Sequence, residues 1–225
     1  MPADTVRAVL FDLDDTLCAY RRSGDELITT ACEAVGVEPF FDGATYEARY
    51  GEFTDESEDV ADLRERCFAA IAADRGRDPE VGRAIARAFA AERDYGNVRP
   101  LAGAREAVES LARRYRVGVV TNGAPGMQRR KLAALPFADR FETVVHAGYD
   151  TAAKPAAAPF HEALSTLDAS PDRAVHIGNS AASDVAGAHN AGLRSVWLRQ
   201  PDGPGDHRPH FTIDRMGDLT APPWE

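Results

Sequence analysis

The stretch "VRAVLFDLDDTL", Val6 to Leu17, carries the reading on which the fold turns. Val6–Phe11 is a mostly apolar run of strand length, and it stops at Asp12. Asp14 and Asp15 follow at once. Three carboxylates within four residues repel one another, so a plain helix cap or solvated turn would not favour them. A cation or a shared proton relieves that repulsion. The strand period of 2 places Asp12 and Asp14 on the same side. Two carboxylates so placed can divide their labour. One, kept ionised near a cation, is a nucleophile; the other, partly protonated, serves as acid and then as base.

Downstream of this strand tip the pattern changes. From about Cys18 to Tyr95 the apolar residues follow a helical period: Leu27, Ala31, Ala34 and Val35; then Val60, Leu63, Cys67, Phe68 and Ile71; then Val81, Ile85, Ala88 and Phe89. No strand-like alternation interrupts them. Gly36, Pro39 and Gly43 break the first helix from the rest, and Gly76 with Pro79 separates the last two. After Asn97–Gly103, strands and helices alternate. Helices are predicted over Arg105–Arg114, Met127–Leu135, Phe160–Leu167 and Asp184–Ala191, and strands over Val117–Val120, Thr143–His146, Ala174–Ile177 and Ser195–Leu198. "QPDGPGDHRPH", 200–210, reads as a loop. The expected fold is α/β, a parallel sheet covered by helices with an all-α module inserted after the first strand. Residues 1–17 and 97–225 form the sheet domain and 18–96 the insert. Ligands of such sheets bind beyond the carboxyl ends of the strands, where strand order reverses.

Composition narrows the partners. The 225 residues are 44% hydrophobic, enough for a sizeable core, and the net charge of -10 argues against nucleic acid. No apolar run approaches the roughly 18 residues of a membrane span. "MPADTVRAVLFD" lacks a secretory pattern, so a cytoplasmic protein with no membrane partner is expected. Cys18, Cys32 and Cys67 include no C-x-x-C pair and read as reduced thiols, which disfavours zinc. His207 and His210, in a Pro/Gly-rich tail, read as surface residues. Of the 26 basic residues only Lys131 and Lys154 are lysines and the other 24 are Arg. Acidity with so little Lys is the expectation for a halophilic protein or a GC-rich genome. It also makes a single Lys in a motif position informative.

The other strand ends carry polar residues too. "VVTNG" ends with Thr121, Asn122 and Gly123, where a hydroxyl, an amide and a flexible backbone suit an oxyanion, although Asn-Gly is first of all a turn dipeptide. Lys154-Pro155 follows the third strand, where Pro155 fixes the backbone. The fourth strand ends "HIGNSAASD". Each segment has an ordinary explanation alone; together and in this order they do not. The chain resembles the haloacid dehalogenase (HAD) superfamily, in its phosphatase branch with an inserted α-helical cap of the C1 type. "DLDDTL" matches the D-x-D-x-T motif, "TNG" the second motif, "KP" the third and "GNSAASD" the fourth. With "TNGAPGMQRRKL", it looks most like the nucleotidase and sugar-phosphate phosphatase subgroup.

The resemblance implies a Rossmann-like core, a mobile cap and a Mg²⁺-dependent phosphatase acting on a small phosphorylated metabolite. Asp12 would attack phosphorus to give an aspartyl-phosphate. Asp14 would protonate the leaving oxygen and then activate water, while its backbone carbonyl binds Mg²⁺. Thr121 and the backbone N–H of Asn122, with Gly123, would hold the phosphoryl oxygens. Lys154 would offset charge on nucleophile and phosphate. Leu17–Tyr20 and Gly96–Leu101 would be the hinges of the cap, and Arg21 and Arg22 either meet an anionic substrate or lie on an exposed turn. Asp14 argues against a 2-haloacid dehalogenase, since carbon–halogen displacement needs no leaving-group acid and that branch resembles D-x-Y-G-T. A phosphomutase is a further alternative.

One position departs from the family pattern. The fourth motif usually reads G-D-S/T with a later Asp, and here Asn179 replaces the first Asp. The expected metal set is therefore Asp12, Asp14, Asn179 and Asp184. Three readings stand open. Asn179 binds Mg²⁺ through its amide oxygen, Asp184 takes over the main acidic role, or the protein is a HAD-fold binding module without catalysis. Ser180 and Ser183 read as caps of the following helix.

Overall fold

The computed structural model describes residues 5–53 and 57–225. It divides into two compact units, one running up to Tyr20 and resuming over Tyr95–Glu225, the other spanning Arg21–Asp94. In chain order the strands are β1 (Ala8–Phe11), β2 (Cys18–Tyr20), β3 (Val98–Pro100), β4 (Arg116–Asn122), β5 (Thr143–Ala147), β6 (Ala174–Gly178), β7 (Arg194–Leu198) and β8 (Phe211–Ile213). The α-helices are α1 (Gly24–Val35), α2 (Gly43–Tyr50), α3 (Val60–Asp74), α4 (Pro79–Glu92), α5 (Ala104–Leu111), α6 (Pro125–Ala133), α7 (Ala158–Thr166) and α8 (Ala186–Asn190).

The first unit is built on a six-stranded parallel sheet in the order β5-β4-β1-β6-β7-β8. All four residues of β1 are buried, as expected of a strand covered on both faces. Val9 and Phe11 pack with Val117, Val119, Val175 and Ile177 in one core. Ala8 and Leu10 point the other way, into a core with Val120, Phe160 and Leu164. From β1 the chain passes to β4 and outward to β5, then returns to β6 on the other side of β1. Strand order therefore reverses at β1, and the carboxyl ends of β1, β4 and β6 flank the crevice where ligands of such sheets bind.

The second unit is helical. Ser23 and Glu26 form a capping box at α1, and Gly36 closes that helix with a left-handed φ of 78°. Asp42, Asp59 and Asp78 cap α2, α3 and α4 through side-chain bonds to backbone N–H groups. Leu27, Ile28, Phe41, Phe68, Ile71, Ile85 and Phe89 form its core. Arg22 donates to Glu92 (3.0 Å) and Thr30 (2.9 Å) within this unit, so its guanidinium has partners there.

The expected strands and helices of the sheet domain are all present, with two additions. Cys18–Tyr20 pairs antiparallel with Val98–Pro100, so the segments expected as hinges form a two-stranded ribbon of the first unit. Ser195–Leu198 is not the last strand, because β8 follows the 200–210 loop and pairs with β7. Three residues per strand are too few for periodicity to show; pairing partners far along the chain define them. The helix expected from Asp184 is preceded by a π-helical turn, Ala181–Val185. All three cysteines are free and buried. Among the described residues no helix is long and apolar enough to cross a membrane.

Candidate active site

Asp12 leaves the carboxyl end of β1 with its N–H bonded to Ile177 O (2.9 Å) and is 7% exposed. Lys154 Nζ lies 2.7 Å from Asp12 Oδ1, 2.7 Å from Asp184 Oδ1 and 2.8 Å from Val120 O. One buried ammonium thus joins the tips of β1 and β4 to the turn after β6. Lys154 is placed by Asn122. The Asn122 Oδ1 accepts from Lys154 N (2.9 Å) and its Nδ2 donates to Lys154 O (3.1 Å). The amide read as suited to an oxyanion is therefore occupied in holding the lysine, whose peptide bond to Pro155 is cis.

The three crowded carboxylates are separated by partner and by direction. Asp15 takes a positive φ of 56° and is exposed. Its turn folds the chain back so that Thr16 Oγ1 reaches Asp12 Oδ2 (3.3 Å). Asp14 turns away from Lys154 and meets Lys131, whose Nζ lies 2.7 and 2.8 Å from its two oxygens. Gln128 Nε2 donates to Asp14 Oδ2 (2.9 Å) and to Thr121 Oγ1 (2.7 Å). Gly123 makes this possible. It holds φ 151°, and a Cβ there would stand 2.8 Å from Gln128 Nε2.

The fourth motif divides in two. Asn179 Oδ1 accepts from the same Thr16 hydroxyl at 3.3 Å, and its backbone carbonyl accepts from Trp197 Nε1 (2.8 Å). Asp184 lies deeper. Its Oδ1 accepts from Lys154 and His176 Nε2 (3.0 Å), and its Oδ2 from Ser180 N (2.9 Å). Ser180 Oγ accepts from Ser183 N (3.2 Å), so Ser180 is the cap and Ser183 supplies the donor.

The charges follow from these contacts. Burial pushes Asp12 up to about 7, more than Lys154 beside it draws it down, and the neighbouring Asp184 and Asp14 add to the rise. Burial also opposes ionisation of Asp184, but Lys154 and the His176 hydrogen bond outweigh it and hold that carboxyl below its ordinary value. Burial would lower Lys154, and the two carboxylates more than reverse this, leaving it raised. Lys131 is likewise raised, with Asp14 outweighing burial. His176 is lowered, chiefly by burial, which favours the neutral ring. Asp184 is thus the ionised partner of Lys154, while Asp12 has a half-share of one ammonium and is short of positive charge.

A hard cation suits that deficit. Asp12 Oδ2 and Asn179 Oδ1 each have only the long bond to Thr16 among the described residues. With the Asp14 carbonyl they give the oxygen donors that magnesium prefers. Asp184, expected in the metal set, has its oxygens engaged by three protein donors. Asp14 could contribute only its carbonyl, since its carboxylate faces Lys131. Accordingly, among the described residues no three His, Cys, Asp or Glu side chains cluster to hold a metal ion.

Sequence reading missed Lys131, Gln128 and His176, and the side-chain role of Asn122. Lys131 had a signal, as one of two lysines in the chain. His176 had none, because a lone His in a strand gives no hint of its partner.

Comparison with known proteins places the site in a family. Residues 6–192 match the model of the haloacid dehalogenase-like hydrolases. A phosphoserine phosphatase of Thermus thermophilus is 35% identical over 70% of this chain, but the match spans only 62% of that relative's length. A glyceraldehyde 3-phosphate phosphatase of Methanopyrus kandleri is 29% identical over 95% of both chains. The crystal structure of the HAD-hydrolase YfnB from Bacillus subtilis, bound to magnesium, superposes with a TM-score of 0.73 at 19% identity, covering 96% of this chain and 98% of that one. With most of this chain matched by the family model, and Asp12, Thr121, Lys154 and Asp184 gathered at one switch point, the chain belongs to the haloacid dehalogenase-like hydrolases.

Proposed function

We propose that this protein is a phosphatase that hydrolyses a small phosphate monoester through an aspartyl-phosphate on Asp12. The observation that carries this reading is the buried Lys154 shared between Asp12 and Asp184, with Asp14 two residues beyond the nucleophile. Phosphatase relatives support it. Phosphoryl transfer depends on positioning and on neutralising the equatorial oxygens. In this reading Asp12 attacks phosphorus, and Asp14 gives its proton to the leaving oxygen and then takes one from water. Thr121 Oγ1 already accepts from Gln128, so its own proton is free to donate to a phosphoryl oxygen, beside the N–H of Asn122. Lys154 offsets the charge of nucleophile and phosphate together.

Magnesium would be held by Asp12 Oδ2, the Asp14 carbonyl and Asn179 Oδ1, the first of the three readings of position 179. Bound there, it would neutralise the nucleophile and the transferring group. The unit that runs up to Tyr20 and resumes over Tyr95–Glu225 serves as catalytic core, and Arg21–Asp94 as the cap module. A cytoplasmic setting at high salt fits the charge.

Asp12→Asn tests the reading on a panel of small phosphate esters with magnesium. Phosphate release by the wild type and a loss of at least about 1,000-fold in the variant, with unchanged circular dichroism, are expected. Wild-type-like turnover by Asp12→Asn would rule out the mechanism.

A further inference from the structure

We propose that Lys131 and Gln128 are positioning residues for catalysis, fixing the Asp14 carboxylate and tying it to the Thr121 hydroxyl. The inference rests on the phosphatase reading above.

The helix that carries them is unusual in what it buries. The buried residues of α5 are Ala104, Ala107, Val108 and Leu111, an ordinary apolar face. The only fully buried residues of α6 are Gln128 and Lys131. They stand at i and i+3 and so project from one side. Gln128 is 1% exposed and Lys131 is 4% exposed. Burying an ammonium and an amide is costly unless their partners require it.

Both groups converge on Asp14. Lys131 Nζ contacts both carboxylate oxygens, at 2.7 and 2.8 Å, which fixes the plane of the carboxylate. The Tyr20 ring, 4.9 Å from Nζ, holds the ammonium from another side. Gln128 Nε2 meets three acceptors: Asp14 Oδ2 (2.9 Å), Thr121 Oγ1 (2.7 Å) and Asn122 O (3.3 Å). Its Oε1 is buried and finds no protein partner among the described residues, so the amide is oriented by its nitrogen alone. The Asp14 side chain is 38% exposed, and the bonds from Lys131 and Gln128 hold both of its oxygens.

The consequence is chemical. In the first half-reaction an Asp12 oxygen bonds to phosphorus and the P–O bond to the leaving group breaks. The electron pair goes to the leaving oxygen, which takes the Asp14 proton. In the second, water bonds to phosphorus, its proton passes to Asp14, and the Asp12–phosphorus link breaks to release phosphate. An alkyl leaving group needs the Asp14 proton, whereas 4-nitrophenolate leaves without it.

Lys131→Met is therefore read by the ratio of kcat/KM for glycerol phosphate to kcat/KM for 4-nitrophenyl phosphate. This constant reports steps through the first bond cleavage. The alkyl ester should lose about 100-fold, a typical general-acid contribution, and the aryl ester about tenfold less than that. Lys131→Arg, which restores a cation, should recover part of the ratio. Should Lys131→Met fail to fold, Gln128→Leu gives the same ratio test. Equal losses on both esters, with the ratio unmoved, would overturn the positioning role and leave the phosphatase reading standing. No phosphate release from either ester by the wild type would overturn both.

Discussion

At the residue scale, the proposed magnesium site turns on Asn179. An amide oxygen offers magnesium a dipole where a carboxylate would offer a charge, and ligand charge is a main control of affinity for hard cations. Asn179→Asp should lower the magnesium concentration for half-maximal rate by roughly tenfold. Without magnesium the same change brings a second carboxylate to Thr16, opposite Asp12, and like charges destabilise. The melting temperature of the variant should therefore depend more steeply on added magnesium than that of the wild type. An unchanged magnesium requirement would place Asn179 outside the ligand set. Lys154 shows the converse balance: with two carboxylates 2.7 Å from one ammonium, Asp184 is held ionised while Asp12 is left raised and short of positive charge.

Among the elements, α3 and α4 approach closely in the helical unit at Gly82. Gly82 lies buried in α4, and a Cβ there would fall 2.2 Å from Phe68 O and 2.7 Å from Ala69 Cα. Helix propensity favours Gly82→Ala by about 1 kcal/mol. The clash is with backbone, which cannot swing aside as a side chain would, so the helices must separate. Overpacking of this kind costs about 1–3 kcal/mol. The net effect expected is a destabilisation, seen as a lower denaturation midpoint in urea. A midpoint equal to or above the wild type would mean the two helices part without loss.

For the whole molecule, charge is the dominant variable. The 36 acidic residues outnumber the 26 basic ones, and the net -10 is spread over one small protein. Several Arg–carboxylate pairs are exposed, as in Arg116–Glu142 and Arg199–Asp214. Such pairs contribute about 0–1 kcal/mol each and weaken in salt. General repulsion weakens too, since at about 1 M salt the Debye length is about 3 Å. Repulsion outweighs the pairs because the acids are in excess, while the buried Lys154 and Lys131 contacts are screened least. Activity and melting temperature should hold or rise above about 1 M potassium chloride. Best performance in dilute buffer would refute a high-salt adaptation.

The sequence by itself determined the α/β core, the helical insertion and which strand ends carry polar residues. Those features are written locally, in apolar period, in Gly and Pro breaks and in the order of Asp12, Thr121, Lys154 and Asp184. It also marked Asn179 as the departure and the DLDDT carboxylates as needing relief. Only the tertiary structure decided who relieves them. Lys154 serves Asp12 and Asp184, Lys131 serves Asp14, and Asn122 grips the Lys154 backbone across 32 residues. The ribbon of β2 with β3 and the edge strand β8 were likewise settled by partners distant in the chain. A carboxylate's partner is fixed by which strand tips the sheet order brings together, and local residue patterns do not encode that distance.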